Sequence, residues 1–263
     1  MTDPKIYKPH ISFSELSNWY KCSWYHKLTY IDEIGGFNGN THTAFGKAVH
    51  NTAEQLLLEN IQGGVSYFLE DFKKELEALD EYDEKLAAEM YVQGEELVDL
   101  ILPALRIEFG EFEVVSAEYP LYESCKEELD LDYDFSFKGF IDLVIRTKDG
   151  KLHIIDYKTC SWGWRAEKKA DKMTNYQMVL YKYFYARKND IELKNVDCHF
   201  ALIKRTASKN RVEIFKVTSG QKKVANSLDF TKKAVYNIHK ELYIKNKLNC
   251  TYCEFKHTKH CPR

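Results

Sequence analysis

"HIIDYKTCSWGW", residues 153–164, decides how this chain is read. Apolar residues run up to Ile155, and then an acid and a base, Asp156 and Lys158, stand two positions apart. Side chains of a β-strand alternate between faces, so these two point the same way and meet as neighbours. An exposed ion pair is one reading, and such pairs contribute little. A catalytic site is the other, and the flanking sequence separates them. Upstream, "DFSFKGFIDLVI" (134–145) predicts a second strand, and "RTKDGK" (146–151) a tight turn between the two. Strands 134–145 and 151–159 therefore form an antiparallel hairpin. The hairpin brings Asp142, an acid among apolar neighbours, towards Asp156. Two adjacent carboxylates repel unless a cation neutralises them, and hard oxygen donors suit Mg²⁺ or Mn²⁺. Lys158, with an ordinary pKa of about 10.4, serves there mainly as a charge unless its environment depresses that value.

The rest of the chain supplies a frame for this hairpin. "ISFSELSNWYKCSWYHKLTY" predicts a short helix, and after the loop "GGFNGN" the stripe Phe45, Val49, Ala53, Leu56, Leu57 predicts a helix over about 43–60. Residues 66–110 read as helical throughout. "EVVSAEYPLY" (113–122) is a strand before the hairpin, "MTNYQMVLYKYFYARK" (173–188) an amphipathic helix after it. Strands at 198–205 and 211–217 and a basic helix over 220–247 complete the order. Helices, three strands, a helix, two strands and a helix make an α/β or α+β domain around a central mixed sheet. With no repeat and no Pro/Gly-rich linker, residues 1–263 are expected to form a single domain: a mainly helical part (11–110), a sheet core (111–217), and a basic helix with a cysteine motif (218–263).

Composition narrows the function classes. The 44% apolar and 14% aromatic content of the 263 residues supports a packed core and excludes a mainly disordered chain. No apolar run reaches the length of a membrane span, and "MTDPKIYKPH" lacks the regions of a signal peptide, so no membrane partner and a cytoplasmic location are expected. There the seven cysteines stay reduced and serve as packing residues or metal ligands. The net charge of −2 hides an asymmetry: twelve acids against three lysines over 70–99, and twelve Lys/Arg against three acids over 201–247. A basic groove and two solvated helix faces of opposite sign are equally compatible with it.

Asp142 followed by Asp156-Tyr157-Lys158 resembles the D…(D/E)-x-K signature of the PD-(D/E)xK nuclease superfamily. "FGKAVHNTAE" resembles the G-x-x-x-H helix of its RecB-like branch, and "YQMVLY" that branch's Q-x-x-x-Y helix, in the matching order along the chain. The resemblance implies a restriction-endonuclease-like core and a metal-dependent deoxyribonuclease. It implies His50, Asp142, Asp156 and the carbonyl of Tyr157 as ligands of Mg²⁺ or Mn²⁺, Lys158 as the group that positions water and stabilises phosphoryl charge, and Gln177 and Tyr181 as residues orienting the scissile phosphate. The substrate is expected to be DNA, single-stranded or with free ends, cut as an exonuclease in recombination, repair or phage DNA metabolism. A structure-specific endonuclease and a non-catalytic DNA-binding scaffold are the alternatives. Glu118 is either a supporting carboxylate or a solvent-facing strand residue. Trp162, Trp164 and Arg165 either grip a nucleic-acid strand or pack into the core. Lys204, Arg205 and the lysines of 222–247 are expected phosphate contacts. No G-x-x-x-x-G-K-[ST] nucleotide loop is present.

At the C-terminal end, "NCTYCEFKHTKHC" gives Cys250-x2-Cys253-x7-Cys261, a metal-site spacing. Cys22, in "LSNWYKCSWYHKLTYID", lies in a segment that resembles the N-terminal part of iron–sulfur RecB-like nucleases, the AddB-type and CRISPR-associated exonucleases among them. That resemblance implies a [4Fe–4S] cluster held by Cys22, Cys250, Cys253 and Cys261, joining the two ends of the chain. A local zinc site from Cys250, Cys253, Cys261 and His257 or His260 is the rival. Cys125, Cys160 and Cys198 are expected to pack.

Overall fold

A computed structural model of the chain describes residues 9–35 and 38–262. Most of the opening "MTDPKIYKPH", and Gly36 and Phe37 of the "GGFNGN" loop, lie outside them. The described chain falls into two compact units that interleave along the sequence. One comprises Asn38–Pro120 and Phe140–Gly220; the other draws on Met1–Phe37, Leu121–Gly139 and Gln221–Arg263.

The five predicted strands and a short sixth that was not predicted form one mixed sheet, the α/β architecture expected. In chain order the strands are β1 (His10–Ser12), β2 (Phe112–Ser124), β3 (Ser136–Thr147), β4 (Leu152–Cys160), β5 (Val196–Lys204) and β6 (Val212–Val217). They run β1-β3-β4-β5-β6 across the sheet, with β2 also beside β3. The predicted hairpin is present: Leu143 to Arg146 of β3 pair antiparallel with Ile155 to Leu152 of β4. β4 and β5 are parallel from Leu152↔Val196 to Cys160↔Lys204, and a parallel pair needs a long crossover. Helices α8 (Ala166–Ala170) and α9 (Lys172–Lys188) supply it.

In the first unit the core lies between the β3–β4–β5 face carrying Leu143, Ile145, Ile155, Tyr157, Ala201 and Ile203 and four helices. These are α3 (Thr41–Leu57), α4 (Gly64–Glu77), α5 (Glu84–Glu95) and α6 (Ile101–Phe109). The stretch read as helical over 66–110 is three helices, with a break where "LDEYD" offers a new N-cap. The Asp83 carboxylate accepts from the amide of Leu86. α9 departs from the amphipathic expectation: its buried residues run all round, and even Lys182 is enclosed, donating to the carbonyl and hydroxyl of Ser219. A helix serving as a crossover under neighbouring elements buries more than one stripe.

The second unit carries β1, α1 (Phe13–Lys21), α2 (Ser23–His26), a π-helical turn over Lys27–Ile31, α7 (Lys126–Leu129) and α10 (Gln221–His239). The single N-terminal helix expected from sequence is interrupted at Cys22, whose extended backbone separates α1 from α2. The basic helix ends at His239, eight residues early, and the rest of the segment is turns and a short 3₁₀ stretch at Lys247–Asn249. No described helix is long and apolar enough to cross a membrane.

Candidate active site

α3 starts on a reciprocal cap: Asn40 Oδ1 accepts from the amide of Thr43, and Thr43 Oγ1 from the amide of Asn40. This fixes the helix entry and puts Ala44, Phe45, Ala48, Val49 and Thr52 in the core. Gly46, on the strand side, lets the helix approach closely, since a Cβ there would stand 3.2 Å from Thr159 Oγ1. One turn on, His50 reaches β4. Its ring stands edge-on to Tyr157 at 5.6 Å, it hydrogen-bonds the Tyr157 backbone, and its Nδ1 lies 3.5 Å from Asp142 Oδ2.

The β3–β4 ladder runs to Leu143↔Ile155, and the next position on each strand is an aspartate. There the Tyr157 amide donates to Asp142 Oδ2 at 2.7 Å. Two residues along β4, Lys158 Nζ meets Asp156 Oδ2 at 2.5 Å, so the neighbours expected from strand alternation are neighbours. α9 delivers Gln177, whose Nε2 donates to Asp156 Oδ1 at 2.8 Å and approaches the Tyr181 hydroxyl at 3.4 Å. Gln177 thus grips a carboxylate. β2 adds Glu118, which sequence left undecided: it has φ of 48° within the strand, a left-handed kink for a non-glycine residue. One donor atom each of His50, Glu118 and Asp142 lie within 4.8 Å of one another, and no other His/Cys/Asp/Glu group among the described residues meets that test. His50 and Glu118, with Lys47, His42, Tyr157 and Lys158, line an open cleft of about 560 Å³.

The electrostatics fit a cation. Burial pushes Asp142 and Asp156 up to about 6 against the pull of Lys158, and burial, then Asp142, pushes Glu118 up to about 7. Burial, then Lys158, lowers His50 to about 4, leaving a neutral imidazole with a free lone pair to offer. For Lys158 burial works against the charge, yet Asp156 and Asp142 outweigh it and hold the group above its ordinary range. In this geometry it is held as an ammonium, a positive charge beside the two carboxylates. Three oxygen donors that repel and one neutral nitrogen match the donor set of Mg²⁺ or Mn²⁺.

Around the site the sequence readings divide. Trp164, half-buried, packs against Phe200 and Phe215, at 5.0 and 6.1 Å between ring centroids, while Trp162 is 74% exposed and Arg165 is exposed. Lys204 and Arg205 are buried and already bonded, Lys204 to Glu213 and Arg205 to Gln93 and Ser161. They are structural cations, not the phosphate contacts expected, because partners distant in sequence, Glu213 for Lys204 and Gln93 for Arg205, hold them in buried positions. Cys198 and Cys125 are buried and donate to the carbonyls of Met178 and Phe135, and Cys160 is half-buried.

In the second unit, Cys22, Cys250, Cys253 and Cys261 line a single cavity of about 460 Å³. The Asn246 amide donates to Cys22 Sγ at 3.4 Å, and Trp24 Nε1 donates to the carbonyl of His260 at 3.1 Å. These bonds bring the N-terminal helices to the C-terminal turns.

Residues 10–261 match the family model described as the PD-(D/E)XK nuclease superfamily. Among solved structures, the chain is similar to an exonuclease candidate from Eubacterium rectale, with TM-score 0.61 and 12% identity over 96% of this chain and 89% of that one. SSO0001 is a looser likeness, with TM-score 0.45 and 11% identity over 94% of this chain and 84% of that one. The first likeness bears on fold alone, and the second carries no weight. No curated protein matches the chain.

Proposed function

Since the chain belongs to the PD-(D/E)XK nuclease superfamily, we propose that it is a metal-dependent deoxyribonuclease of the RecB-like branch, acting as an exonuclease on DNA with free ends. The observation that carries this reading is the gathering of His50, Glu118 and Asp142 donor atoms within 4.8 Å of one another, with Asp156 following the paired β3–β4 ladder and Lys158 against it. A non-catalytic scaffold has no need of such a cluster, whose buried like charges are costly without a cation.

His50, Glu118, Asp142, Asp156 and the Tyr157 carbonyl would hold Mg²⁺ or Mn²⁺, which when bound supplies Lewis-acid polarisation of the phosphate and a more acidic water. Lys158 keeps its proton and sets positive charge where the phosphoryl oxygens gain negative charge. Gln177 holds Asp156 through Oδ1, so that the carboxylate keeps one orientation, and Tyr181 steadies Gln177. In this geometry Gln177 acts on the phosphate through Asp156, a positioning role.

For the cysteines we favour the [4Fe–4S] cluster over zinc. Tetrahedral zinc with bonds of about 2.3 Å needs thiolates roughly 4 Å apart. No three of the described thiols and His257 or His260 nitrogens lie within 4.8 Å of one another, and a larger cluster accommodates such spacing. Its role in this reading is structural.

The test is Mn²⁺-dependent digestion of end-labelled linear single-stranded DNA beside a closed circle, with Lys158→Ala as control. Loss of the linear DNA alone, abolished by the substitution, is expected. Cutting of the circle would make the protein an endonuclease, and cutting indifferent to Lys158 would return it to a DNA-binding scaffold.

A further inference from the structure

The segment that leaves the catalytic strand carries two tryptophans with opposite fates. Trp164 is half-buried against Phe200 and Phe215, whereas Trp162 is 74% exposed, the highest exposure of any large apolar side chain in its unit save Ile107. Between them Gly163 has φ of +106°, a conformation that side chains rarely adopt, and this reversal sends one indole in and leaves the other out. The exposure is not the looseness of a mobile loop. Arg205 and Thr206 donate their amides to the carbonyls of Cys160 and Ser161 at 2.8 and 3.0 Å. Arg205 Nη2 donates to Ser161 Oγ at 3.1 Å, and Thr206 Oγ1 to the Ser161 carbonyl at 2.9 Å. A rigid backbone therefore holds a large flat apolar ring in water.

Its position gives the ring a use. Trp162 follows Lys158 by four residues, and at about 3.3 Å per strand residue its Cα stands within roughly 13 Å of that of Lys158. Arg165 and Lys168 come next along the chain, and Lys168 lies over Trp164 at 5.5 Å, so cationic groups border the segment. An exposed indole beside cations suits a nucleobase whose face is free, with the neighbouring phosphates drawn by the positive charge. Bases in a duplex keep their faces stacked on one another and have none to offer.

We infer that Trp162 is a base-stacking subsite that accepts an unpaired nucleotide next to the scissile phosphate, and so sets a preference for single-stranded over blunt duplex ends. The inference rests on the nuclease reading above, and it deepens that reading by naming the form of DNA the site takes.

Binding of an oligothymidylate and of a blunt duplex of the same length is measured in the cleavage-silent Asp142→Asn background. Trp162→Ala is expected to weaken oligothymidylate binding about tenfold and leave duplex binding unchanged, with Trp162→Phe recovering most of the loss. Oligothymidylate should also quench tryptophan fluorescence, and the quench should vanish in Trp162→Phe. Equal weakening on both ligands, or no weakening and no quench where the parent binds, overturns the subsite. The digestion assay with Lys158→Ala leaves Trp162 untouched. Lys158-dependent cutting with unchanged binding by Trp162→Ala therefore sinks the subsite alone, whereas a parent that neither binds nor cuts DNA removes both.

Discussion

The two candidate ligand clusters of this chain are built in opposite ways. The carboxylate site stands on a helix and three strands, and its groups already hold one another: Asp142 takes the Tyr157 amide, Asp156 takes Lys158 and Gln177. The cysteine site stands on the break between α1 and α2 and on C-terminal turns, its thiols lining an open cavity. Preorganised groups keep their geometry without a ligand, whereas ligands on turns depend on what they bind, and binding energy becomes folding energy. One cluster is expected to matter for rate and the other for stability.

Four measurements break or sharpen that contrast. Asp142→Asn should lower cleavage about a thousandfold or more, with the melting temperature of the metal-free protein unchanged or raised, because a buried carboxylate at odds with its surroundings is gone. A large fall in melting temperature would show that the site carries the fold. Cys253→Ser should do the reverse: a melting temperature lower by roughly 10 °C, with residues 240–262 cut first in limited proteolysis and 41–217 resistant. Retained resistance in the C-terminal turns would make their fold independent of the cluster.

The third concerns acid. Burial, then His153, pushes His199 down to about 4, and His153 Nδ1 lies 3.1 Å from its Nε2. The folded state refuses a proton that the unfolded chain accepts near 6.5, so the stability tied to neutral His199 is full above 6.5 and is lost as pH falls towards 4. That is about 3 kcal/mol. The raised carboxylates of the active site act with the opposite sign, so the parent is compared with His199→Gln by denaturant melts at each pH. A parallel response of the two proteins would refute the assignment. The smallest effect is expected from Gly46→Ala, where the added methyl presses on Thr159 while alanine improves the helix by about 1 kcal/mol. Cleavage should fall several-fold with stability nearly constant, and an unchanged rate would show that α3 tolerates the shift.

What the sequence made legible follows from periodicity. Asp156 and Lys158 share a face because strands alternate, the hairpin follows from "RTKDGK", and Gly46 and His50 lie one helical turn apart. Glu118 was not legible, because a left-handed residue inside a strand re-aims a side chain without leaving a compositional mark. Nor were the breaks over 66–110, where acids serve equally as helix surface and as caps. Lys204 and Arg205 read as surface cations because burial of a lysine or arginine depends on a partner distant in sequence, here Gln93 for Arg205. β1, three residues long, is too short for any period to show.

The Tyr157 amide has a consequence of its own. Where a regular ladder would give this N–H a carbonyl, it has the carboxylate of Asp142 instead. A single main-chain proton is therefore a native spectroscopic reporter: its chemical shift and exchange rate follow the charge on Asp142, whether a proton or a cation changes it, with no label added to the protein.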